Sequence, residues 1–308
     1  MRNIVGSQRV FRLQGYGRTA LREPRPRARG VALALRERGV RVQIFSLKPP
    51  SEPFVHEAAQ SLLHEVIYPP SLWQLLVSQL RCLVRQPIPW LLLLGRTLRE
   101  AWQEGRTEMC KALYTVAVAT HFARVARWLG IGHLHAHWAT YPALAVRTIQ
   151  TLTGIPYTLT THAHDIFLPN PYLAKNLASA RTVVTISEYN RRYLVSAGTP
   201  ASKIKVIRCG LDLREFSVQR ATGRRADSIV AIGRLEPIKG FSFLLEACAL
   251  LKNRGSVVSC SIIGDGSLRG ELERQILANN LQDQVHLLGA LSQSQVREVL
   301  ASAALFVL

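Results

Sequence analysis

The chain has 308 residues, 48% of them hydrophobic and 19% charged, which is enough for two ordinary domains with buried cores. Its longest apolar stretch, Ile88 to Leu94, is far shorter than the ~20 residues of a membrane-spanning helix, and its arginine-scattered N-terminus lacks the apolar core of a secretory signal. The formal net charge is +19, and residues 1–48 hold twelve Lys and Arg against two acids, Glu23 and Glu37.

A basic arm of that kind can bind nucleic acid, but it has no interleaved aromatics, no zinc spacing and no basic helix leading into heptads. No nucleic-acid partner is expected. The excess suits a protein that works against an anionic membrane face and handles phosphorylated small molecules. Cys82, Cys110, Cys209, Cys248 and Cys260 show no paired spacing, so cytosolic free thiols and a cytoplasmic location are expected.

Residues 1–30 read as a basic segment, either disordered or out-of-frame, because Arg22-Glu-Pro-Arg-Pro-Arg-Ala-Arg29 stands where a buried first strand and its loop belong. Gly15-Tyr-Gly17 follows no predicted strand and is read as chance. From about residue 31 helix and strand alternate. A helix through Val31, Leu33 and Leu35 ends at Gly39, and a strand follows over Val40–Leu47. Apolar-rich helices are predicted over 72–85, 89–104 and 108–129. Next come a strand at His133–His137, a helix over 141–152, strands at Tyr157–Thr161 and Thr182–Ile186, a helix from Glu188 and a strand at Ile204–Arg208. A polar stretch at 216–228 reads as a linker. Beyond it, strands are predicted at Ile229–Ile232, Val257–Ile263, Val285–Leu288 and Ala304–Leu308, separated by helices; Ser292 and Gln295 spell a capping box before the last of these.

Strands alternating with helices make parallel sheets covered on both faces. The expected fold is therefore α/β, with two doubly wound, Rossmann-like domains facing a cleft: residues 31–215 and a second, incomplete domain over 229–308. Ligands in such sheets bind beyond the carboxyl ends of the strands, so the stretches just after strands carry the interest.

Three of them do. In Ala231–Gly240, a strand, Gly233, Arg234 and then Lys239-Gly240 opening a helix set two cations and backbone N–H groups around one point. A diphosphate leaving group needs such a setting, because negative charge grows on it as its bond breaks. In Ile262–Gly270, Gly264 and Gly266 permit a close backbone approach at a strand end, with Asp265 between them, as in a nucleotide-contacting turn. In Thr160–Asp165, His162, His164 and Asp165 follow a strand directly. His133, His135 and His137 lie on one face of the preceding strand, so a metal-dependent hydrolase stands as an alternative.

Taken in order, His135-Ala-His-Trp138, Leu159–Ile166, Val184–Ser187, Lys205–Asp212, Ile232–Gly240 and Ile263–Leu272 resemble the family 4 retaining glycosyltransferases of the GT-B fold, above all members that build exopolysaccharide or colanic-acid-type polymers. The resemblance covers residues 31–308. It implies that Arg234 and Lys239 hold the diphosphate of a nucleotide-sugar donor and stabilise the leaving group. It implies that His162 lies near donor sugar and acceptor with Asp165 supporting its loop, and that Asp265 and Gly266 form a nucleotide-side turn. Gly210 and Asp212 match an Asn-Gly-Val-Asp turn between the domains, with Cys209 in place of Asn. It further implies a glycan or lipid-linked glycan acceptor, same-face attack by an acceptor hydroxyl, no cofactor and no metal.

Two departures follow from the same resemblance. The family's paired donor-binding glutamates lie beyond a strand equivalent to Leu305–Leu308, and its phosphate-covering first loop is unrecognisable here. The chain as given is expected neither to bind donor tightly nor to turn over, and a non-catalytic fragment that holds acceptor or membrane is the further alternative. The helices from Ser71 to Arg99, with leucines, Trp90 and Arg81, Arg85 and Arg96, are read as a candidate interfacial surface for peripheral membrane contact.

Overall fold

A computed structural model of the protein describes residues 9–14, 26–49, 64–210 and 225–307. The chain divides into two compact units, Met1–Cys209 and Gly210–Leu308. Gly15-Tyr-Gly17, Arg22–Arg25 and Asp212 lie outside the described residues.

The first unit is a seven-stranded, all-parallel sheet. Its strands are β1 (Arg9–Gln14), β2 (Arg41–Ser46), β3 (Val66–Ile67), β4 (Ile131–His137), β5 (Tyr157–Thr160), β6 (Thr182–Thr185) and β7 (Ile204–Val206), in the order β3-β2-β1-β4-β5-β6-β7. The helices are α1 (Pro26–Glu37), α2 (Leu72–Arg85), α3 (Pro87–Ala101), α4 (Arg106–Trp128), α5 (Tyr141–Thr153), α6 (Ala163–Phe167), α7 (Leu173–Ser179) and α8 (Glu188–Ser196). Within the basic first 30 residues, Arg9–Gln14 form a strand that composition does not predict. β1 pairs in parallel with both β2 and β4, and so occupies a central place in the sheet. It is a six-residue run, Arg-Val-Phe-Arg-Leu-Gln, that precedes the Arg/Pro-rich segment. Pro26 opens α1, a position where its missing N–H costs nothing.

The core of this unit lies between the sheet and the long α4, with α5 beside it. Phe45 on β2 meets Phe122 on α4 edge to face, with ring centroids 4.8 Å apart, and Leu134, Leu144, Ile149 and Leu159 are fully buried around them. Each such side chain contributes about 1.5–3 kcal/mol relative to exposure. Under α3 and α5 sits a buried ionic group. Glu100 accepts from Arg147 at 2.6 Å and from Lys175 at 2.8 Å, and both Glu100 and Arg147 are almost wholly withdrawn from solvent.

The second unit is a four-stranded parallel sheet of β8 (Arg225–Ile232), β9 (Ser259–Ile263), β10 (Val285–Gly289) and β11 (Ala303–Val307), in the order β10-β9-β8-β11. Its helices are α9 (Phe241–Asn253), α10 (Arg269–Ala278) and α11 (Gln293–Ser302). β8 begins at Arg225, inside the stretch that polarity marks as linker, because β11 pairs alongside it from Ala303 onward. The Ser292–Gln295 capping box forms as its spelling predicts. All five cysteines are free thiols. Buried Cys248 and Cys260 face one another, and a hydrogen bond between their sulfurs, with burial, holds the Cys260 thiol up.

Candidate functional site

In the first unit the strand ends of β4 and β5 converge. His137 ends β4, and its Nε2 lies 3.0 Å from Nε2 of His162, just past β5. Both imidazoles are buried. One proton serves the contact between the two nitrogens, so one ring donates and the other accepts. Asp165 ties the two strand-end loops together. Its carboxylate accepts the backbone N–H of His162 at 2.6 Å and that of Ala139. The Ala139 carbonyl in turn accepts from Asn170 and Asn176. Below this shell, the Tyr141 and Tyr172 hydroxyls both donate to Glu108, at 2.6 and 3.1 Å, and burial together with the Glu108 charge pushes the Tyr172 phenol well up.

Beside this pair stands Trp138, with φ +98°, a conformation that a bulky side chain adopts only where its surroundings impose it. Its N–H bonds to the Thr160 carbonyl at 2.8 Å, and its indole lies over the His162 ring, centroids 4.7 Å apart and planes 37° apart. His137 and Trp138 were legible only as parts of a strand and a motif. The histidine alternation signalled His137, whereas nothing local signals a left-handed tryptophan.

The other two histidines of β4 are engaged on the sheet. His133 Nε2 and His135 Nδ1 share the Thr158 hydroxyl at 3.1 and 2.8 Å, and His135 Nε2 reaches Thr160 at 3.2 Å. Among the described residues no three His, Cys, Asp or Glu side chains converge as a metal set. Burial, reinforced by the Arg181 charge, lowers the His133 pKa below its ordinary 6.5; burial and Arg124 do the same to His121, which bonds Ser78 of α2 at 2.9 Å. The folded state disfavours protonation of both rings. Their contribution to stability is full above pH 6.5 and is lost as the pH falls from 6.5 through their lower folded values. The melting temperature should therefore drop between neutral pH and mildly acidic pH, and the His121→Gln and His133→Gln variants should each flatten that drop. An equally steep acid dependence in both variants would contradict this assignment.

In the second unit the loops after β8 and β9 are woven together. Gly233 N–H donates to the Ile263 carbonyl and Leu235 N–H to that of Asp265, both at 3.0 Å, while Leu268 N–H returns to the Leu235 carbonyl at 2.9 Å. Gly264 has φ +142°, and a methyl group built on it would lie 1.9 Å from the Gly233 oxygen; one built on Gly266 would lie 2.5 Å from the Leu235 oxygen. The close approach that these glycines permit is thus an approach of one loop to its neighbour. The amides of Lys239, Gly240 and Gly264 also donate to carbonyls inside the fold, and that of Gly266 donates to the Asp265 carboxylate at 2.8 Å. These amides are therefore spoken for within the fold, whereas the amides of Arg234, Phe241 and Ser242 have no such partner among the described residues.

What the loops do present is side-chain charge. Arg234 and Lys239 are both exposed at the β8 end, and among the described residues neither is engaged by an acid. The Lys239 stem passes over Gly233, with its Cδ 3.7 Å from where a Gly233 methyl would be. Gly210 is the last described residue before Arg225 and has open space around it.

Residues 27–215 match the sequence profile described as Glycosyltransferase Family 4, and residues 215–308 match the one described as Glycosyl transferases group 1. Over 132 residues the chain is 32% identical to the amylovoran biosynthesis glycosyltransferase AmsK of Erwinia amylovora, a match that covers 42% of this chain and 32% of that protein. The chain thus spans about a third of that relative's length. Among solved structures, HepE of Anabaena in complex with UDP and glucose superposes with a TM-score of 0.59 at 16% identity, covering 96% of this chain and 73% of that one. The lipopolysaccharide outer core galactosyltransferase WaaB superposes with a TM-score of 0.62 at 12% identity, covering 97% and 73%. At these identities the likeness is one of fold, and that fold is GT-B with Rossmann-like sheets.

Proposed function

The chain belongs to glycosyltransferase family 4, and from that premise we propose that it transfers a sugar from a nucleoside-diphosphate sugar to a hydroxyl of a glycan or lipid-linked glycan, in polysaccharide biosynthesis. The observation that carries the reading is the pair of exposed, acid-free cations, Arg234 and Lys239, at one strand end of the second unit. As the bond from sugar to diphosphate breaks, one further negative charge develops on the leaving diphosphate, and fixed cations stabilise that state more than the ground state. With the amides of Gly233, Lys239 and Gly240 donating within the loops, these two side chains supply the charge in this unit. Asp265, Gly264 and Gly266 hold the loop that backs them.

In the first unit, His162 is the group we place beside the reacting sugar, with Asp165 fixing its loop. The acceptor hydroxyl attacks from the face that the diphosphate leaves, so configuration is retained and no side chain acts as nucleophile. The reaction is proposed to need neither metal nor cofactor. We place the chain in the cytoplasm as a peripheral membrane protein; among the described residues no helix is long and apolar enough to cross a membrane.

HepE is solved with UDP, which makes UDP the first probe. In calorimetric titrations Arg234→Ala and Lys239→Ala should each weaken UDP binding about tenfold, and EDTA should leave the affinity of the parent chain unchanged. Equal affinity in parent and variants would remove the two cations from the donor site, and binding that vanishes with EDTA would overturn the metal-free reading.

A further inference from the structure

A helix that packs on a globular core normally turns its apolar side inward. α2 turns most of its apolar surface the other way. Its inner side carries Leu75 and Cys82, half-buried against the core, together with polar groups: Ser78 bonds His121, and Gln79 donates to the Ala117 carbonyl at 3.0 Å and accepts from the Trp90 indole at 3.3 Å. At about 100° per residue, Leu72, Trp73, Leu76, Leu80, Leu83 and Val84 fall within an arc of roughly 120°, and this arc faces solvent: Leu72 is 81% exposed, Trp73 73% and Leu76 63%, whereas Ser78 is 5% exposed. α3, which follows directly and packs beside α2, repeats the arrangement with Ile88, Leu91, Leu92 and Leu98 outward and Leu93 and Thr97 inward. Both helices are held against α4, so the outward face belongs to a folded element.

Charge identifies the occupant. From Ser71 to Arg99 there is no Asp or Glu, and four arginines are exposed: Arg96 and Arg99 in or beside the outward arc of α3, Arg81 on the flank of α2 and Arg85 at its C-terminal end. A second copy of the same face would bring eight arginines together with no acid to meet them, which disfavours self-association. A surface that is apolar below and anionic at its rim satisfies both features, and an anionic lipid bilayer is such a surface. We propose that the outward faces of α2 and α3 form an interfacial docking surface for anionic membrane, with leucines and Trp73 entering the acyl boundary and the arginines meeting lipid phosphates. This deepens the peripheral placement proposed above and is independent of sugar transfer, so vesicle binding and UDP binding can fail separately.

The test is co-sedimentation of the full chain with phosphatidylcholine vesicles and with vesicles that also contain phosphatidylglycerol, at low and high salt. Binding should require the anionic lipid and weaken with salt. The pair Leu76→Glu, Leu80→Glu should lower vesicle affinity at least about tenfold, and the pair Arg96→Gln, Arg99→Gln by about fivefold per charge removed. The arginine pair leaves helix packing untouched and keeps the test decisive if the glutamate pair unfolds. No binding to anionic vesicles overturns the proposal. So does unchanged binding in both pairs, which would move the contact to another basic region. A solution mass of twice the chain that falls to one chain in the Leu76→Glu, Leu80→Glu protein would make the face a self-association surface instead.

Discussion

Replacing Glu100 with alanine is expected to remove about 3–5 kcal/mol from the stability of the first unit. Glu100 is the sole acid among the described residues that meets Arg147, whose guanidinium bonds it at 2.6 and 3.4 Å and is 8% exposed. Truncating the carboxylate leaves that cation dehydrated and without its counter-charge. Lys175, half exposed, also bonds Glu100, but it can turn to water, so Lys175→Ala should lose less than about 1 kcal/mol. The paired change Glu100→Leu, Arg147→Met should recover most of the loss, because it removes both charges at once and refills the volume. Denaturant titration of the four proteins checks this. A loss below about 1 kcal/mol in Glu100→Ala would mean that water reaches Arg147 and that the pair is a surface interaction.

The second large effect is expected at Gly264. Its φ of +142° is strained for any L side chain, and the added methyl would fall 1.9 Å from the Gly233 carbonyl oxygen, which is backbone and cannot swing away. Strain and overpacking together should destabilise the second unit by about 3–5 kcal/mol in Gly264→Ala. Hydrogen exchange of the β8 and β9 amides reads that unit directly, while exchange in β4 and β5 should be unaffected. Gly270→Ala is the control: it lies in α10 with no atom within 4 Å of the new methyl, and should be neutral or stabilising by up to about 1 kcal/mol. Equal protection in Gly264→Ala and the parent would show that the loop pair opens at little expense. The same variant informs function: if the loops are separated, Arg234 and Lys239 lose their common support and UDP binding should fall with stability.

Much of this fold is legible in the amino-acid sequence. The helix over 72–85, the strand ending at His137 and the capping box at Ser292 were predicted where they occur, because periodicity, caps and turn residues act over a few neighbouring residues. The placement of Arg234, Lys239, His162 and Asp165 just after strands was legible for the same reason, since a parallel sheet exposes its ligand-facing loops at one end. β1 was not. Six residues with two arginines give too short a signal, and only the pairing of β2 and β4 on either side makes them a central strand.

The partners of those loops were hidden too. His137 and His162 are 25 residues apart in the chain and 3.0 Å apart at their nitrogens. Gly264 and Gly266 looked like ligand-facing glycines until Gly233 and Leu235 proved to fill the space beside them. The apolar run of α2 and α3 could serve core helices or an interface, since hydrophobicity states how much apolar surface a helix has but not which side is covered. By itself, then, the sequence determined the α/β alternation, the family and the loops that carry the candidate chemistry, all of which depend on local order along the chain. Only the tertiary structure decided that the glycines pack against a neighbouring loop, that Trp138 is held left-handed over His162, and that most leucines of α2 face outward. Each of these is a question of which distant group occupies the neighbouring space, and that is settled when strands and helices far apart in sequence are brought into contact.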